Sequence, residues 1–462
     1  MRSRLLRHCE KVNRTHFKSK GFMPTISESQ LQLNLSSIDR HAYFKSRYGR
    51  NGSLNKIFEP DAAIHNWYRF VLSFPPHLVR EYLSQFKTDQ LSIVLDPFCG
   101  TGTTLVEAKK GGFRAVGIEA HPMSSFASTV KTDWKINHKK LLDHSHKIAD
   151  TALKKINKEK NLRQLPIDQE VLLLRNSISP RPLHKALILK ETIDNLKDEE
   201  LRGVELLSLA KILVSSVSNL HFGPEVGVRG FKEDADVVGE WLKQIHVASG
   251  DLQILGSMNS SKTEIFNSDA REINQIMKPQ SIDIVITSPP YPNEKDYTRT
   301  TRLETILLGF AKNKEDLRMI KKGLVRSNTR GVYKGDSDDR LVGDVQEVQR
   351  IAAEIERRRI ELGKTSGFER MYARVTKLYF GGMTRHLADL RTILKPGAML
   401  AYVVGDQASY LRVMIRTGAI LGEIAQSLGY ELVATDLFRT RIATATKEQL
   451  REEVLVLRWP KK

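Results

Sequence analysis

Two acids and a pair of glycines are spaced to suit a single ligand. In Asp96-Pro97-Phe98-Cys99-Gly100-Thr101-Gly102-Thr103-Thr104 a carboxylate stands just ahead of two glycines separated by one residue. Asp96, at the end of a strand, can pair with an ammonium group. Gly100 and Gly102 let the backbone come close to a ligand, and the helix that follows offers free amides. Glu119 lies 17 residues past Gly102, at the end of the next strand, where a carboxylate can accept hydrogen bonds from both hydroxyls of a ribose. Together these residues imply a ligand with an amino-acid moiety and a ribose. A dinucleotide phosphate loop would need a third glycine where Leu105 stands, and no lysine follows as in a P-loop. Far downstream, Ser288-Pro289-Pro290-Tyr291 closes the β-branched run Ile282–Thr287. Proline has no amide hydrogen, so two in a row cannot extend a central strand. They instead stiffen a loop that holds a hydroxyl and an aromatic ring side by side, at the strand end where open α/β sheets usually place chemistry.

The elements that must position these groups follow from the pattern around them. "LSIVLDPFCGTGTTLVEAKKGG" reads as strand, glycine-rich turn and helix, with Gly111-Gly112 ending the helix, and "FRAVGIEA" as the next short strand. That series opens a doubly wound parallel sheet of an α/β fold. The sheet resumes at "SIDIVITSPPY". It finishes with a helix near 374–394, "LKPGAMLAYVVGD", another helix, "YELVATDLFRT" and "EVLVLRW". Between these pieces lie two largely helical insertions, 131–261 and 311–373. The expected organisation is a basic N-terminal arm over 1–60, a catalytic sheet from 61–130, 262–310 and 374–462, and the two insertions. Ahead of the glycine loop, "FPPHLVREYL" predicts a short amphipathic helix with Leu78, Val79 and Tyr82 on one face.

"DPFCGTGTT" together with "TSPPY" resembles the amino-methylating DNA methyltransferases, which use S-adenosyl-L-methionine, and "SPPY" resembles their cytosine-N4 branch. "HNWYRFVLSFPP" resembles the motif that closes over the methionine part of the cofactor in such enzymes, which brings Trp67 into the cofactor set. The resemblance covers roughly residues 61–130, 265–310 and 374–462, and implies a Rossmann-like methyltransferase sheet. It implies cofactor binding by Asp96, Phe98, Gly100, Gly102, Glu119, Trp67 and Asp269, the last looking like the acid that holds the adenine amine. In this chain SPPY follows the glycine motif, whereas in many cytosine-N4 enzymes it precedes it.

On that resemblance, Ser288, Pro289, Pro290 and Tyr291 form the catalytic loop. The exocyclic amine of a base is a poor nucleophile because its lone pair is delocalised into the ring. The base must be extruded, held flat and relieved of that delocalisation by acceptors for the amine hydrogens. The Ser288 hydroxyl and Pro289 carbonyl supply acceptors, and Tyr291 a stacking face. The expectation is that the hydroxyl donates to cytosine N3 while accepting from N4. Cys99 sits in the cofactor loop and not beside the prolines, so C5-cytosine chemistry through a cysteine nucleophile does not fit. Rival readings are adenine-N6 methylation of DNA, RNA base methylation, and an idle DNA-binding subunit on the same fold.

A formal net charge of +19 on 462 residues favours a polyanionic partner, here double-stranded DNA. The expected phosphate contacts are Arg299, which follows the catalytic loop, and Lys321, Lys322, Arg326 and Arg330 in the glycine-punctuated second insertion, the candidate DNA-recognition region. Two cysteines suit a reducing compartment and exclude a disulfide framework, and no histidine pair has a metal-site context, so no metal is expected. No apolar run approaches the ~20 residues that span a bilayer. The expected setting is cytoplasmic and nucleoid-associated, with a restriction endonuclease encoded nearby as a further partner.

Overall fold

The apolar runs read as strands pair into one seven-stranded sheet. The computed structural model describes residues 54–461, apart from 70–72, 87–88, 223–225, 257–260, 294 and 444–445. The basic arm expected over 1–60 therefore lies, as far as residue 53, outside the described residues. The strands are β1 (Ile93–Asp96), β2 (Arg114–Ile118), β3 (Leu220–Phe222), β4 (Val226–Val228), β5 (Thr263–Phe266), β6 (Ile282–Thr287), β7 (Leu394–Gly405), β8 (Glu431–Ile442) and β9 (Gln449–Arg458). In the large sheet the order is β5-β2-β1-β6-β7-β9-β8, while β3 and β4 form a separate hairpin. Strands β5, β2, β1, β6 and β7 run parallel, and β9 lies antiparallel between β7 and β8. This is the expected doubly wound, Rossmann-like α/β sheet, with one antiparallel strand. Its order reverses between β1 and β6, which makes the crevice at their carboxyl ends the switch point where ligands bind.

The helices are α1 (Pro76–Gln85), α2 (Thr103–Lys110), α3 (Pro122–Thr132), α4 (His138–Lys158), α5 (Pro180–Asn195), α6 (Arg202–Ile212), α7 (Val237–Leu255), α8 (Arg302–Leu307), α9 (Lys314–Lys322), α10 (Gln346–Glu361), α11 (Tyr372–Leu390) and α12 (Thr417–Ser427). Strand residues alternate between two cores, as strands covered on both faces must. Val94, Ile284 and Ile286 meet Leu78, Val79 and Leu105 of α1 and α2. Leu95 and Val285 face Phe380, Leu387 and Ile424 of α11 and α12 on the opposite side.

The first insertion is α4 to α7 with the β3–β4 hairpin. It has an apolar core of its own around Trp241, Leu206 and Ile245, which runs on into Met123 and Val130 of α3 and into Trp67. Helix α3 crosses residue 131, so that boundary falls inside one helix. The second insertion, α9 and α10 with the turns between them, packs its Val325, Val342 and Ile351 onto the α11 side of the sheet. All described residues belong to one compact unit.

Candidate active site

Strand β1 ends at Asp96, and the chain turns at once through the glycine loop. Gly100 and Gly102 take φ values of 51° and 84°, a region that only glycine occupies without strain. Helix α3 holds the loop from behind. The Ser128 hydroxyl donates to the Gly100 carbonyl at 2.7 Å, and the buried Lys131 ammonium donates to the Thr101 carbonyl at 2.7 Å. Glu119 braces it from the front. One carboxylate oxygen accepts from the Gly100 amide at 2.9 Å and the other from the His121 amide at 2.7 Å. Burial nonetheless pushes the Glu119 carboxyl up to about 7.

The catalytic-loop candidate begins one residue past β6. Parallel pairing of β1 with β6, with Val94 opposite Ile284 and Leu95 opposite Val285, sets the two loops side by side. A buried hydrogen bond fastens them: the Thr287 hydroxyl donates to Asp96 Oδ1 at 2.6 Å, an oxygen that also accepts the Phe98 amide at 3.1 Å. Asp96 is wholly buried, which raises its carboxyl to about 6, and its Oδ2 has no hydrogen-bond partner among the described residues. The Ser288 hydroxyl donates to the Val403 carbonyl of β7 at 3.2 Å. That differs from the expected donation to a base, because a carbonyl on the neighbouring strand already accepts that hydrogen bond. Ser288 Oγ is left as an acceptor.

A cavity partly open to solvent gathers most of these groups. Phe98, Gly100, Glu119, Asp269, Ser288 and Pro290 line it, and so do Ser73, Phe74, His121, Asp296 and Tyr297. Phe98 meets the His386 ring edge-on at 4.8 Å between centroids. Asp269 caps the 3-10 turn Ala270–Gln275 and is gripped by the Arg271 guanidinium. Gly102, Asp96, Pro289 and Tyr291 stand outside the lining. The Tyr291 ring rests on Gly405, where a Cβ would come within 2.7 Å of it, so only glycine fits at the end of β7. The neighbouring Asp406 is a buried hub for Arg416 and Arg451, not a group facing the cavity. Among the described residues no group of three or more His, Cys, Asp or Glu could hold a metal ion, and no helix is long and apolar enough to cross a membrane.

Three sequence-level candidates sit elsewhere than expected. Trp67 is buried in the core of the first insertion, its indole N–H donating to Asp251 at 2.8 Å, and Phe74 from the same motif takes the place at the cavity. Arg326 is 5% exposed; its guanidinium grips Asp336 through two bonds of 2.9 Å and donates to the Lys321 carbonyl, so it shapes its own segment. Lys321 turns inward, pairing with the buried Asp296 at 3.0 Å and lining the cavity, which holds the Asp296 carboxyl below its usual range despite burial. Lys322 and Arg330 remain exposed, Arg330 over the Phe368 ring. Arg299 is half-buried, with no partner for its Nε among the described residues. Phe74 and Lys321 line the cavity in roles the sequence did not assign to them, and His121 lines it without a sequence signal. An aromatic just before the Pro75-Pro76 pair was the one local signal for Phe74.

The family model for DNA methylases, N6_N4_Mtase, matches residues 39–125, the stretch with the glycine loop and Glu119. The type II methyltransferase M.BsoBI of Geobacillus stearothermophilus is 24% identical across 94% of this chain and 90% of its own length. M.AvaI of Nostoc sp. is 23% identical across 86% of each chain. M.MvaI of Kocuria varians is 24% identical over 50% of this chain and 54% of its own. The chain is thus similar to the DNA methylases over its glycine-loop region and, at 23–24% identity, to two type II methyltransferases over most of its length.

Proposed function

We propose that the protein moves a methyl group from S-adenosyl-L-methionine to the N4 amine of cytosine in double-stranded DNA. The observation that carries this is the Ser288 hydroxyl. It is fixed by Val403 as an acceptor in the same cavity as Glu119 and Asp269. The SPPY resemblance supports cytosine over adenine. The names of the relatives, type II methyltransferases, support a role in restriction-modification.

The residues present fit the cofactor. Each Glu119 oxygen is held by one backbone amide and keeps a lone pair for a ribose hydroxyl. Asp269 would take the adenine amine on acceptor capacity left beside Arg271, while Phe98 and Phe74 offer apolar faces. Bound there, S-adenosylmethionine supplies an electrophilic methyl on sulfur. Asp96 is read differently from the sequence-level expectation of an ammonium partner. Its bonds to the Phe98 amide and the Thr287 hydroxyl make it the clasp between the cofactor loop and the catalytic loop.

Ser288 Oγ and the Pro289 carbonyl accept the two amine hydrogens, which turns the nitrogen lone pair out of conjugation. The two prolines keep those acceptors within the small tolerance that such positioning demands. Tyr291, standing on Gly405, gives the extruded base a stacking surface. Of the cations expected to meet phosphates, Lys322 and Arg330 of the second insertion remain exposed to do so, with Arg299 beside the catalytic loop.

Nucleoside mass spectrometry of DNA methylated in vitro tests the assignment. N4-methylcytosine is expected. N6-methyladenine as the sole product overturns the base assignment and keeps the family. Absence of any methyl transfer to DNA favours an RNA substrate or an idle subunit.

A further inference from the structure

Two consecutive glycines, Gly381 and Gly382, fall in the middle of the 19-residue helix α11. Glycine is the poorest helix-interior residue after proline, so a pair there calls for a reason. The reason is a neighbour. A Cβ on Gly381 would lie 1.9 Å from the Asp338 carbonyl oxygen, and one on Gly382 would lie 3.4 Å from Asp338 Oδ2 and 3.7 Å from Arg271 Cδ. The missing side chains cut a notch in α11 that seats Asp338 of the second insertion.

From that seat Asp338 reaches Arg271, whose Nη1 donates to Asp338 Oδ2 at 2.8 Å. The rest of the guanidinium faces the site. Its Nε donates to Asp269 Oδ1 at 3.0 Å and its Nη2 to Asp269 Oδ2 at 2.6 Å. Nη2 also donates to the Lys322 carbonyl at 3.0 Å, at the end of α9. The residues directly after Lys322, Gly323–Asn328, form one wall of the cavity. One buried guanidinium therefore touches the cavity acid, the root of the cavity wall and the residue seated in the notch.

We infer that Arg271 is a positioning residue for the cofactor, and that the Gly381-Gly382 notch sets its position by docking Asp338. This rests on reading Asp269 as the acid that meets the adenine amine. Arg271 fixes the direction of the Asp269 carboxylate and holds the 323–328 wall against the same ligand. Cofactor affinity is thereby made to depend on a helix surface that the ligand never touches.

The test is calorimetric binding of S-adenosylmethionine to the full chain, with steady-state kinetics beside it. Gly381→Ala should raise the cofactor Kd and KM at least tenfold, while kcat at saturating cofactor stays within about threefold. Arg271→Ala should do the same and Arg271→Lys should restore part of the affinity, since a single ammonium keeps the charge without the fork. Asp338→Asn, which keeps the shape, should give a smaller rise in Kd and serves if Gly381→Ala does not fold. Gly250→Ala is the control: it lies mid-helix in α7 with nothing within 4 Å of the added Cβ, and should bind as wild type. Wild-type Kd in Gly381→Ala and Asp338→Asn, or a fall in kcat with KM unchanged, overturns the inference. If the wild-type protein itself binds no S-adenosylmethionine, the cofactor reading fails instead.

Discussion

The two insertions look alike in composition and behave differently in the fold. Both are helical and rich in basic residues, and both interrupt the same sheet. The first, over 131–261, carries Trp241, Ile245 and Leu206 into an apolar core of its own. None of its residues past Ser124 and before Asp269 lines the cavity. The second, over 311–373, contributes a few apolar side chains to the sheet's own core. It turns Lys321 and residues 323–328 toward the site. Charge does not separate them; a place on the cavity wall does. Lys140 of α4 pairs with the half-buried Asp198 and the exposed Glu200, whereas Lys321 pairs with the buried Asp296 and Arg326 with Asp336, whose side chain is 12% exposed. A basic side chain beside a buried carboxylate is committed to the fold. One among solvated acids remains free to exchange partners for a phosphate.

That contrast can be broken most forcefully at Trp241, which is fully buried with its indole N–H on the Glu205 carbonyl. Trp241→Ala should cost about 3–5 kcal/mol of stability in denaturant unfolding and leave the cofactor Kd of the folded protein unchanged. A large change in Kd would tie the first insertion to the site after all. Next comes Arg326→Ala, which strands Asp336 and should cost about 3 kcal/mol. Unlike Trp241→Ala it should weaken cofactor binding, because the loosened segment is a cavity wall; normal affinity would return the second insertion to the status of the first. Tyr291→Ala should weaken capture of the extruded base by about 1–3 kcal/mol in a DNA-binding assay, with cofactor affinity intact and Tyr291→Phe mild.

Smaller effects sharpen the comparison. If exposed Lys322 and Arg330 meet phosphates, each alanine variant should flatten the log–log salt dependence of DNA affinity by roughly 0.9. The same flattening from Lys139→Ala in α4 would put both insertions on the DNA and erase the distinction. The smallest is a pH effect at Glu119. Burial holds its folded carboxyl at about 7, above the 4.5 usual for a glutamate. The folded chain thus holds a proton that the unfolded chain releases, and this contribution to stability is present below 4.5 and lost as pH rises through about 7. Ribose hydroxyls donate better to the ionised carboxylate, so cofactor affinity should tighten over the same rise. A flat profile in the wild type, or an equal slope in Glu119→Gln, would show that another group sets it.

Local chemistry was legible in the chain itself. The alternation of apolar runs, glycines and capping residues around 91–119 defined strand, turn, helix and strand, because each of those signals acts over a few residues. The two prolines after β6 marked a stiff loop for the same reason, and Gly111-Gly112 ended α2 where expected. The contacts that assemble the site were not legible. Nothing near Thr287 in sequence points to Asp96, 191 residues away, yet their bond clasps the two loops. Trp67 read as a cofactor aromatic through the resemblance of its motif, but the indole went to Asp251 in a helix 184 residues further on.

The sequence by itself determined that a glycine loop and an SPPY loop stand at the ends of strands in an α/β sheet, since backbone freedom at glycine and its loss at proline are properties of single residues. Tertiary structure alone decided which basic residues face the site and which acids hold them. It also decided why α11 tolerates Gly381 and Gly382. Those outcomes depend on which distant backbone arrives at 2 to 4 Å. Only the packed chain sets that distance, because burial turns a nearby opposite charge or a missing Cβ into the arrangement that excludes the others.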